Sequence, residues 1–169
     1  LDPLGHTTCE QALAMFYRAY INLMGESQAT QASVENKYPN LSPWAKEELE
    51  AMDQLGLIPE VLLGRDMATP ITRGEMCYVA MEAYLSLYPN PIFRVEESPF
   101  TDADDPVITK AYYLGLISGF PDGTFRPDNA VTVGEALVMV LAAAGFDRRE
   151  ATGEHWSSGN ADFALEKGF

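Results

Sequence analysis

The sequence predicts an all-α domain built from repeats, in which three buried helices form the centre and amphipathic helices surround them. Two observations support this prediction. Turn and helix signals recur in the same order at a spacing of about sixty residues, which is typical of a fold built by repetition. The second helix of each recurrence is apolar on every face, and a helix of that kind has to be buried on every face.

The repeats become visible when the chain is aligned with itself. Residues 56–58 match residues 115–117, 71–75 match 131–135, and 8–15 match 132–139. At the end of the chain Trp156 matches Trp44, and residues 168–169 match residues 56–57. The chain is therefore interpreted as one domain over residues 1–169. Its parts are the second half of a split repeat at 1–25, whole repeats at 38–87 and 100–146, and the first half of the split repeat at 154–169.

The first helix of each repeat is predicted to be amphipathic. In residues 43–55 the apolar side chains share one face and the charged side chains face water. We expect Ser42 to cap the start of this helix, because its hydroxyl can accept a backbone N–H. Gly56 is expected to end it, as Gly115 and Gly168 end its copies. The apolar face consists of Trp44, Leu49, Met52 and Leu55.

The second helix of each repeat is predicted to be central. Residues 135–144 are apolar all the way round, and residues 12–17 and 76–81 are nearly so. We expect these three helices to pack against each other, with Cys77 as a small core residue. Long connecting loops are predicted at 26–37, 88–99 and 146–153, where the chain is polar or rich in proline.

Three helix starts carry the spacing of a capping box. In that motif a threonine oxygen accepts an N–H of the first helical turn, and a Glu or Gln three residues later bonds back to the threonine N–H. The pairs are Thr8 and Gln11, Thr72 and Glu75, and Thr132 and Glu135. This structural role alone can account for all six residues.

The residue that follows the capping threonine is Arg73 in one copy, Val133 in another and Cys9 in the third. An arginine at a helix N-terminus adds charge to the positive end of the helix dipole, which is unfavourable by roughly 0.3 kcal/mol. A nearby anion would compensate for that charge. Arg73 is therefore either a binding residue for an anionic ligand or the partner of a neighbouring carboxylate.

Residues 121–127 form a predicted turn. Pro121 fixes φ, Gly123 permits a positive φ, and Asp122 can bond the nearby backbone. Phe125 is expected to fill a gap between helices, and short extended pieces are predicted beside the turn.

Charged residues near this turn have two possible roles. Arg126 is either a ligand-binding residue or a salt-bridge residue, and the salt bridge is favoured. Asp102, Asp104 and Asp105 are interpreted as cap and turn residues, because a calcium-binding loop needs a longer and regularly spaced ligand set.

The composition excludes several classes of partner. The 169 residues include 11 basic and 25 acidic ones, for a formal charge of −14, whereas nucleic acids and anionic lipid surfaces attract basic proteins. The longest apolar run, at 136–144, is far shorter than the roughly 20 residues of a membrane span. No targeting segment is recognised, and because the chain begins inside a repeat, it is expected to be a piece of a longer one.

No catalytic or metal-binding pattern is recognised. Cys9 and Cys77 form neither a disulfide framework nor a metal-ligand spacing. A nucleophile elbow, a phosphate-binding loop and a dinucleotide fingerprint do not occur. The sequence therefore predicts a protein without enzymatic activity, cofactor or metal, and a glycosidase would require two acids that converge in the folded chain.

Residues 100–145 resemble the S-layer homology family. The family pattern is approximately Phe-x-Asp, a helix with a tryptophan, Gly-(Leu/Ile)-Ile-x-Gly-(Tyr/Phe)-x-Asp-Gly-Thr-Phe-x-Pro, and (Ile/Val)-Thr-Arg-Ala-Glu. This chain has Phe-Thr-Asp at 100–102, the long motif at 115–127, and Val-Thr-Val-Gly-Glu at 131–135. Residues 38–87 resemble the pattern loosely, and the chain ends resemble it weakly.

The resemblance implies a pseudo-threefold arrangement of three repeats. It also implies non-covalent attachment of a secreted protein to the wall polysaccharide of a bacterial cell, typically pyruvylated, in grooves between neighbouring repeats. The ligand-binding residues that it implies are, by position, Arg73, Thr72, Asp102, Trp44 and Gly123, with Trp156 in the split repeat. Because Val133 and Cys9 replace two motif arginines, at most one groove is expected to keep its cation.

Two alternatives stay open at the level of the sequence. The first is a degenerate domain that has kept the fold and works in protein–protein contact or as a spacer for a neighbouring domain. The second concerns the split repeat, whose halves either close on each other within one chain, complete each other between two chains, or pair with residues outside this sequence.

Overall fold

The structure is a computed structural model that describes residues 2–25, 37–93 and 97–168. The predicted connector at 26–37 lies outside the described residues except for Lys37. Residues 94–96 of the connector at 88–99, and Phe169 at the end of the split repeat, also lie outside them.

The described residues form six α-helices, one 3₁₀-helix and no β-strand, which confirms the all-α prediction. The helices are α1 (Cys9–Met24), α2 (Lys46–Gln54), the 3₁₀-helix (Glu60–Leu62), α3 (Arg73–Leu87), α4 (Pro106–Tyr113), α5 (Val133–Ala143) and α6 (Ser158–Lys167).

Three apolar helices lie at the centre, as the sequence predicts. Helices α1, α3 and α5 contact one another, while α2 packs on α1, α4 on α3 and α6 on α5. No residue of α5 is exposed, because a helix that is apolar on every face finds neighbours on every side. Cys77 is fully buried in α3, so its predicted core role is confirmed.

Backbone hydrogen bonds link the starts of the three central helices in a closed order. One set runs from Arg73 N to Asn129 O (2.9 Å), from Val133 N to Gly5 O (2.9 Å) and from Cys9 N to Thr69 O (3.0 Å). A second set runs from Thr7 N to Val131 O (3.1 Å), from Val131 N to Ile71 O (3.0 Å) and from Ile71 N to Thr7 O (3.0 Å). Within each set the donor residues occupy equivalent positions of the sequence repeat, and so do the acceptor residues. They favour the pseudo-threefold arrangement, which itself stays a prediction.

The predicted helix caps are present. All three threonine capping boxes form both of their hydrogen bonds. Gly56, Gly115 and Gly168 follow the outer helices with φ of 69°, 75° and 81°, the left-handed conformation that ends a helix. Asp105 caps α4 by accepting from two backbone N–H groups, as a cap residue should.

The start of α2 differs from the prediction. Ser42 does not cap this helix, which begins at Lys46 after a turn and has no side-chain cap. The Ser42 hydroxyl instead donates to Glu10 Oε1 at 2.7 Å, and its N–H donates to Glu10 Oε2 at 2.9 Å. Trp44 therefore precedes the helix rather than lying on its apolar face.

No strand flanks residues 120–127 within the described part of the chain. That loop closes on itself through a bond from Phe120 N to Thr124 O at 2.8 Å. Extended backbone pairing occurs instead before the central helices, where isolated bridges join His6 to Thr132, Thr8 to Pro70, and Thr72 to Ala130.

Candidate functional site

A groove of about 730 Å³ lies between α3 and α5, at the junction of two repeats. We call it the α3–α5 groove. Aromatic side chains at the end of α3 and apolar side chains of α5 form two of its walls, and loops close the other sides. Its lining includes Tyr84 of α3, Tyr88 directly after that helix, Val138, Met139 and Ala142 of α5, residues 114–120 and 145–148, Arg73, Glu135 and Trp156.

Arg73 reaches this groove from the first turn of α3. Its capping box and its backbone bond to Asn129 hold the start of α3 against the loop that precedes α5. The guanidinium donates from Nε to Phe125 O (2.9 Å) and from Nη2 to Ser118 O (3.1 Å), while Nη1 lies 2.9 Å from Glu135 Oε1. These bonds use three of the five N–H donors of the side chain.

Arg73 is buried, and its guanidinium lies between aromatic rings. The residue is 7% exposed, and its guanidinium carbon lies 4.9 Å from the ring centroids of both Phe120 and Phe125. Burial lowers the pKa of Arg73, an effect that the adjacent Glu135 carboxylate opposes. An arginine nevertheless stays charged in proteins, so the pair is an ion pair. The carboxylate alternative for Arg73 is thus observed, and a role in ligand binding stays a prediction.

The other two junctions between repeats have no ion pair like that of Arg73 and Glu135. At one of them Cys9 replaces the arginine, and Glu75, in the position of Glu135, accepts a hydrogen bond from Arg65 Nε at 2.7 Å instead. In the remaining copy the equivalent positions hold Val133 and Gln11, which are both uncharged. The sequence analysis missed Arg65. The sequence signal is that Glu75 is kept although Cys9 replaces the motif arginine at that junction, which indicates a substitute cation without identifying it as Arg65.

Asp102 and Gly123 shape the loop behind the groove. The Asp102 carboxylate accepts from Phe125 N (2.7 Å) and Arg126 N (2.8 Å), and these bonds lower its pKa. Gly123 adopts a φ of 79°, which suits glycine, and its carbonyl accepts from Thr101 N. Both residues thereby fix the loop whose Phe125 carbonyl binds Arg73, and neither lines the α3–α5 groove.

The exposed part of the same loop holds a second ion pair. Arg126 Nη2 lies 2.8 Å from Asp122 Oδ2, and its guanidinium stacks 3.8 Å from the Phe120 ring centroid, which confirms the favoured salt bridge. Hydrogen bonds from the Thr124 hydroxyl, then from Arg126, lower the pKa of Asp122 to about 2. Phe125 is fully buried, as predicted.

The two predicted tryptophans lie in different places. Trp156 lines the α3–α5 groove, is 41% exposed and has the Arg148 guanidinium 4.9 Å from its ring centroid. Trp44 is 50% exposed and does not line that groove. Arg148 was not among the predicted site residues, because it falls in a segment interpreted as a connector.

Thr72 belongs to a different surface. Its side chain serves the capping box of α3, and the residue lines a second cavity of about 560 Å³. That cavity is acidic, with Glu75, Asp104, Asp105 and Asp128 among its lining residues. Of the six predicted site residues, the structure thus brings Arg73 and Trp156 into one groove.

The described residues contain no group of three or more His, Cys, Asp or Glu side chains placed to hold a metal ion. None of the described helices combines the length and the apolar character needed to cross a membrane.

Comparison with known families gives one match. Residues 99–137 match the family model of the S-layer homology domain, and this span contains α4, the loop at 120–127 and the first half of α5. No curated protein matches the chain. Domains of this family are binding modules of surface and cell-wall proteins and generally serve in cell-wall anchoring. Residues 99–137 are therefore similar in sequence to an S-layer homology domain.

Proposed function

We propose that the protein is a non-enzymatic anchor of a secreted or surface-exposed bacterial protein, and that it binds a pyruvylated wall polysaccharide non-covalently in the α3–α5 groove. The observation that carries this proposal is that Arg73 and Trp156 line one groove at the junction of two repeats. The family match supports the general function, because domains of this family generally anchor proteins at the cell wall.

The groove has the chemical groups that a sugar ligand requires. The Trp156 ring is half exposed and presents an apolar face with an indole N–H, a combination suited to a ligand that is apolar on one side and wet on the other. Beyond its three observed bonds, Arg73 has two further N–H donors. Tyr84 and Tyr88 add aromatic surface at the end of α3.

The proposal can be tested by titrating purified pyruvylated wall polysaccharide into the wild type, Trp156→Ala and Arg73→Ala. Removing the tryptophan face should weaken binding about tenfold or more, since tryptophan often dominates interface energies. Trp44→Ala is the matched control, because Trp44 is similarly exposed and lies outside the groove. Thermal melts establish that each variant is folded. Equal affinities of the wild type and both groove variants would exclude this groove as the binding site.

A second candidate function is a protein–protein or spacer module with the same fold. It is favoured by the loss of two motif arginines, at Cys9 and Val133, and by the internal bonds that occupy Arg73. Sedimentation with purified cell walls separates the two functions. Retention on walls supports the anchor, whereas a folded protein that stays in the supernatant supports the spacer.

We propose in addition that residues 1–25 and 154–169 are halves of one repeat that close on each other within a single chain. One bond joins the two halves directly, because Asn22 Nδ2 at the end of α1 donates to Lys167 O at the end of α6 at 2.8 Å. Both halves also contact α5. Gly134 N of α5 donates to Pro3 O at 3.2 Å, as Gly74 N donates to Pro127 O at the preceding junction, and α6 packs on α5. The chain with α6 should therefore sediment as a monomer at equilibrium, whereas a dimer would favour exchange of the halves between two chains.

A further inference from the structure

Arg148 stands at the edge of the α3–α5 groove with its hydrogen-bonding groups uncommitted. It is exposed, it lines the groove, and its guanidinium carbon lies 4.9 Å from the centroid of the Trp156 ring. Within the described parts of the chain it forms this stacking contact and no ion pair or hydrogen bond. Five N–H donors are therefore available on a planar group that an aromatic ring holds in place.

Arg73 is poorly placed to provide charge selectivity in the same groove. Its charge is neutralised by Glu135 at 2.9 Å, and three of its donors are bonded within the protein. A ligand carboxylate that displaced Glu135 would leave a partly buried carboxylate without its partner, which is strongly unfavourable. Preference for an acidic ligand over a neutral one therefore has to come from another cation that lines the groove.

We propose that Arg148 is the residue that determines specificity for an acidic group on the wall glycan, and this inference rests on the proposed function. The Trp156 ring orients the guanidinium, whose planar fork matches the two oxygens of a carboxylate. Trp156 at the same time offers its uncovered surface to the sugar ring that carries the acid. Arg148 and Trp156 thus act as one recognition unit, in which the guanidinium binds the acidic group and the indole packs against the sugar ring.

Asp147 modifies this charge recognition. Its exposed carboxylate also lines the groove, next to Arg148 in the chain. Its negative charge repels an acidic ligand, so Asp147→Asn should tighten binding of the acidic polymer by roughly twofold. Because both charges are exposed, salt should reduce this effect. Arg148 and Asp147 are therefore expected to have opposite effects on the same measurement.

The test compares two probes on matched arginine variants. The probes are pyruvylated wall polysaccharide and the same polymer after mild-acid removal of its pyruvate groups. Arg148→Ala should bind the acidic polymer about tenfold more weakly and the neutral polymer as the wild type does. Arg149→Ala is the control, because this neighbouring arginine is exposed, stacks on Phe163 at 4.2 Å and does not line the groove. It removes the same charge and should leave both affinities unchanged.

Further outcomes decide between the inference and the function on which it rests. Arg148→Lys should recover only part of the lost affinity, because an ammonium lacks the planar fork. If Arg148→Ala binds the acidic polymer as tightly as the wild type, or weakens both polymers equally, the specificity role is wrong while the anchor stands. If the wild type binds the two polymers equally, the specificity role also fails alone. If the wild type binds neither polymer, both proposals fail.

Discussion

Arg73 shows how a buried charge is accommodated in this protein. The residue lies in the first turn of α3, where the helix dipole opposes a cation, and the Glu135 carboxylate supplies the compensating anion. The carbonyls of Ser118 and Phe125 accept two more of its N–H groups, so its side chain ties α3 to the repeat that contains α5. The side chain therefore has a structural role, whatever ligand the groove binds.

Removing this arginine should destabilise the fold. Arg73→Ala leaves Glu135 without its partner and is expected to lower the free energy of unfolding by about 2–4 kcal/mol. Arg65→Ala, at the equivalent Glu75, should cost about 1 kcal/mol, because the Arg65 side chain is more exposed to water than that of Arg73. Urea denaturation measures both values.

A double variant separates the ion pair from the packing of the arginine. Adding Glu135→Gln to Arg73→Ala removes the unpaired charge and should restore part of the lost stability. If the double variant is less stable than Arg73→Ala by the full cost of Glu135→Gln alone, the two side chains do not interact energetically.

The depressed pKa of Asp122 predicts a pH dependence. Because its folded pKa of about 2 lies below the unfolded value of roughly 3.9, the stability contributed by this carboxylate is fully present above about pH 4. It is lost as the pH falls toward 2. The difference in melting temperature between the wild type and Asp122→Asn should therefore shrink between pH 5 and about pH 2. A difference that does not change with pH would show that the carboxylate charge contributes nothing.

Among the helices, α6 holds the segment that carries the proposed recognition unit of Arg148 and Trp156. The connector that precedes it is clamped to it, because Arg149 N donates to Asn160 Oδ1 at 2.9 Å. Gly159 allows the approach, since a methyl group there would overlap the carbonyl oxygen of Glu150. Arg148 and Trp156 both lie in the segment that this contact holds. The close contact between Gly159 and the connector therefore affects the shape of the groove.

A pair of glycine variants tests this docking. Gly159→Ala should push the connector away from α6, cost about 1–3 kcal/mol of stability and weaken polysaccharide binding. Gly153→Ala adds the same methyl group in the same connector, where the nearest atom is at an ordinary contact distance of 3.6 Å. It should be neutral or slightly stabilising. Equal melting temperatures for the two variants would contradict the close contact between Gly159 and the connector.

The regular elements were predictable because their signals are local. The threonine capping boxes and the glycine helix ends depend on spacings of a few residues, which the sequence displays directly. The start of α2 was not, because the hydroxyl that should cap it bonds to Glu10 on another helix. The role of Arg65 was also out of reach, since which guanidinium meets Glu75 depends on how the preceding loop folds.

The whole molecule is held together by contacts between segments distant in sequence. Each central helix contacts the other two, and the helix starts are joined by closed sets of backbone hydrogen bonds. Opening one junction therefore breaks bonds that depend on the others, which favours cooperative unfolding of the domain. The apolar character of the second helix of each repeat predicted this mutual contact from sequence, whereas the charge pairs at each junction required the structure.

The two cysteines report on this cooperativity. Both are fully buried, and burial raises the pKa of Cys9 to about 11 and that of Cys77 to about 12, so both stay protonated and shielded at neutral pH. A thiol reagent such as DTNB should label them only on unfolding, and at the same denaturant concentration. Rapid labelling of either thiol in the native protein would contradict the buried, cooperative core.

The central claim is that the α3–α5 groove is the ligand-binding site, and the two tryptophans of the chain allow a direct test. Trp156 lines the groove and Trp44 does not. In ¹⁵N-resolved NMR spectra, pyruvylated wall polysaccharide should shift the indole signal of Trp156, together with the amides of Ser118 and Gly119, and leave the indole of Trp44 in place. A shift of Trp44 without Trp156, or no shift of either indole at saturating polymer, would contradict the account.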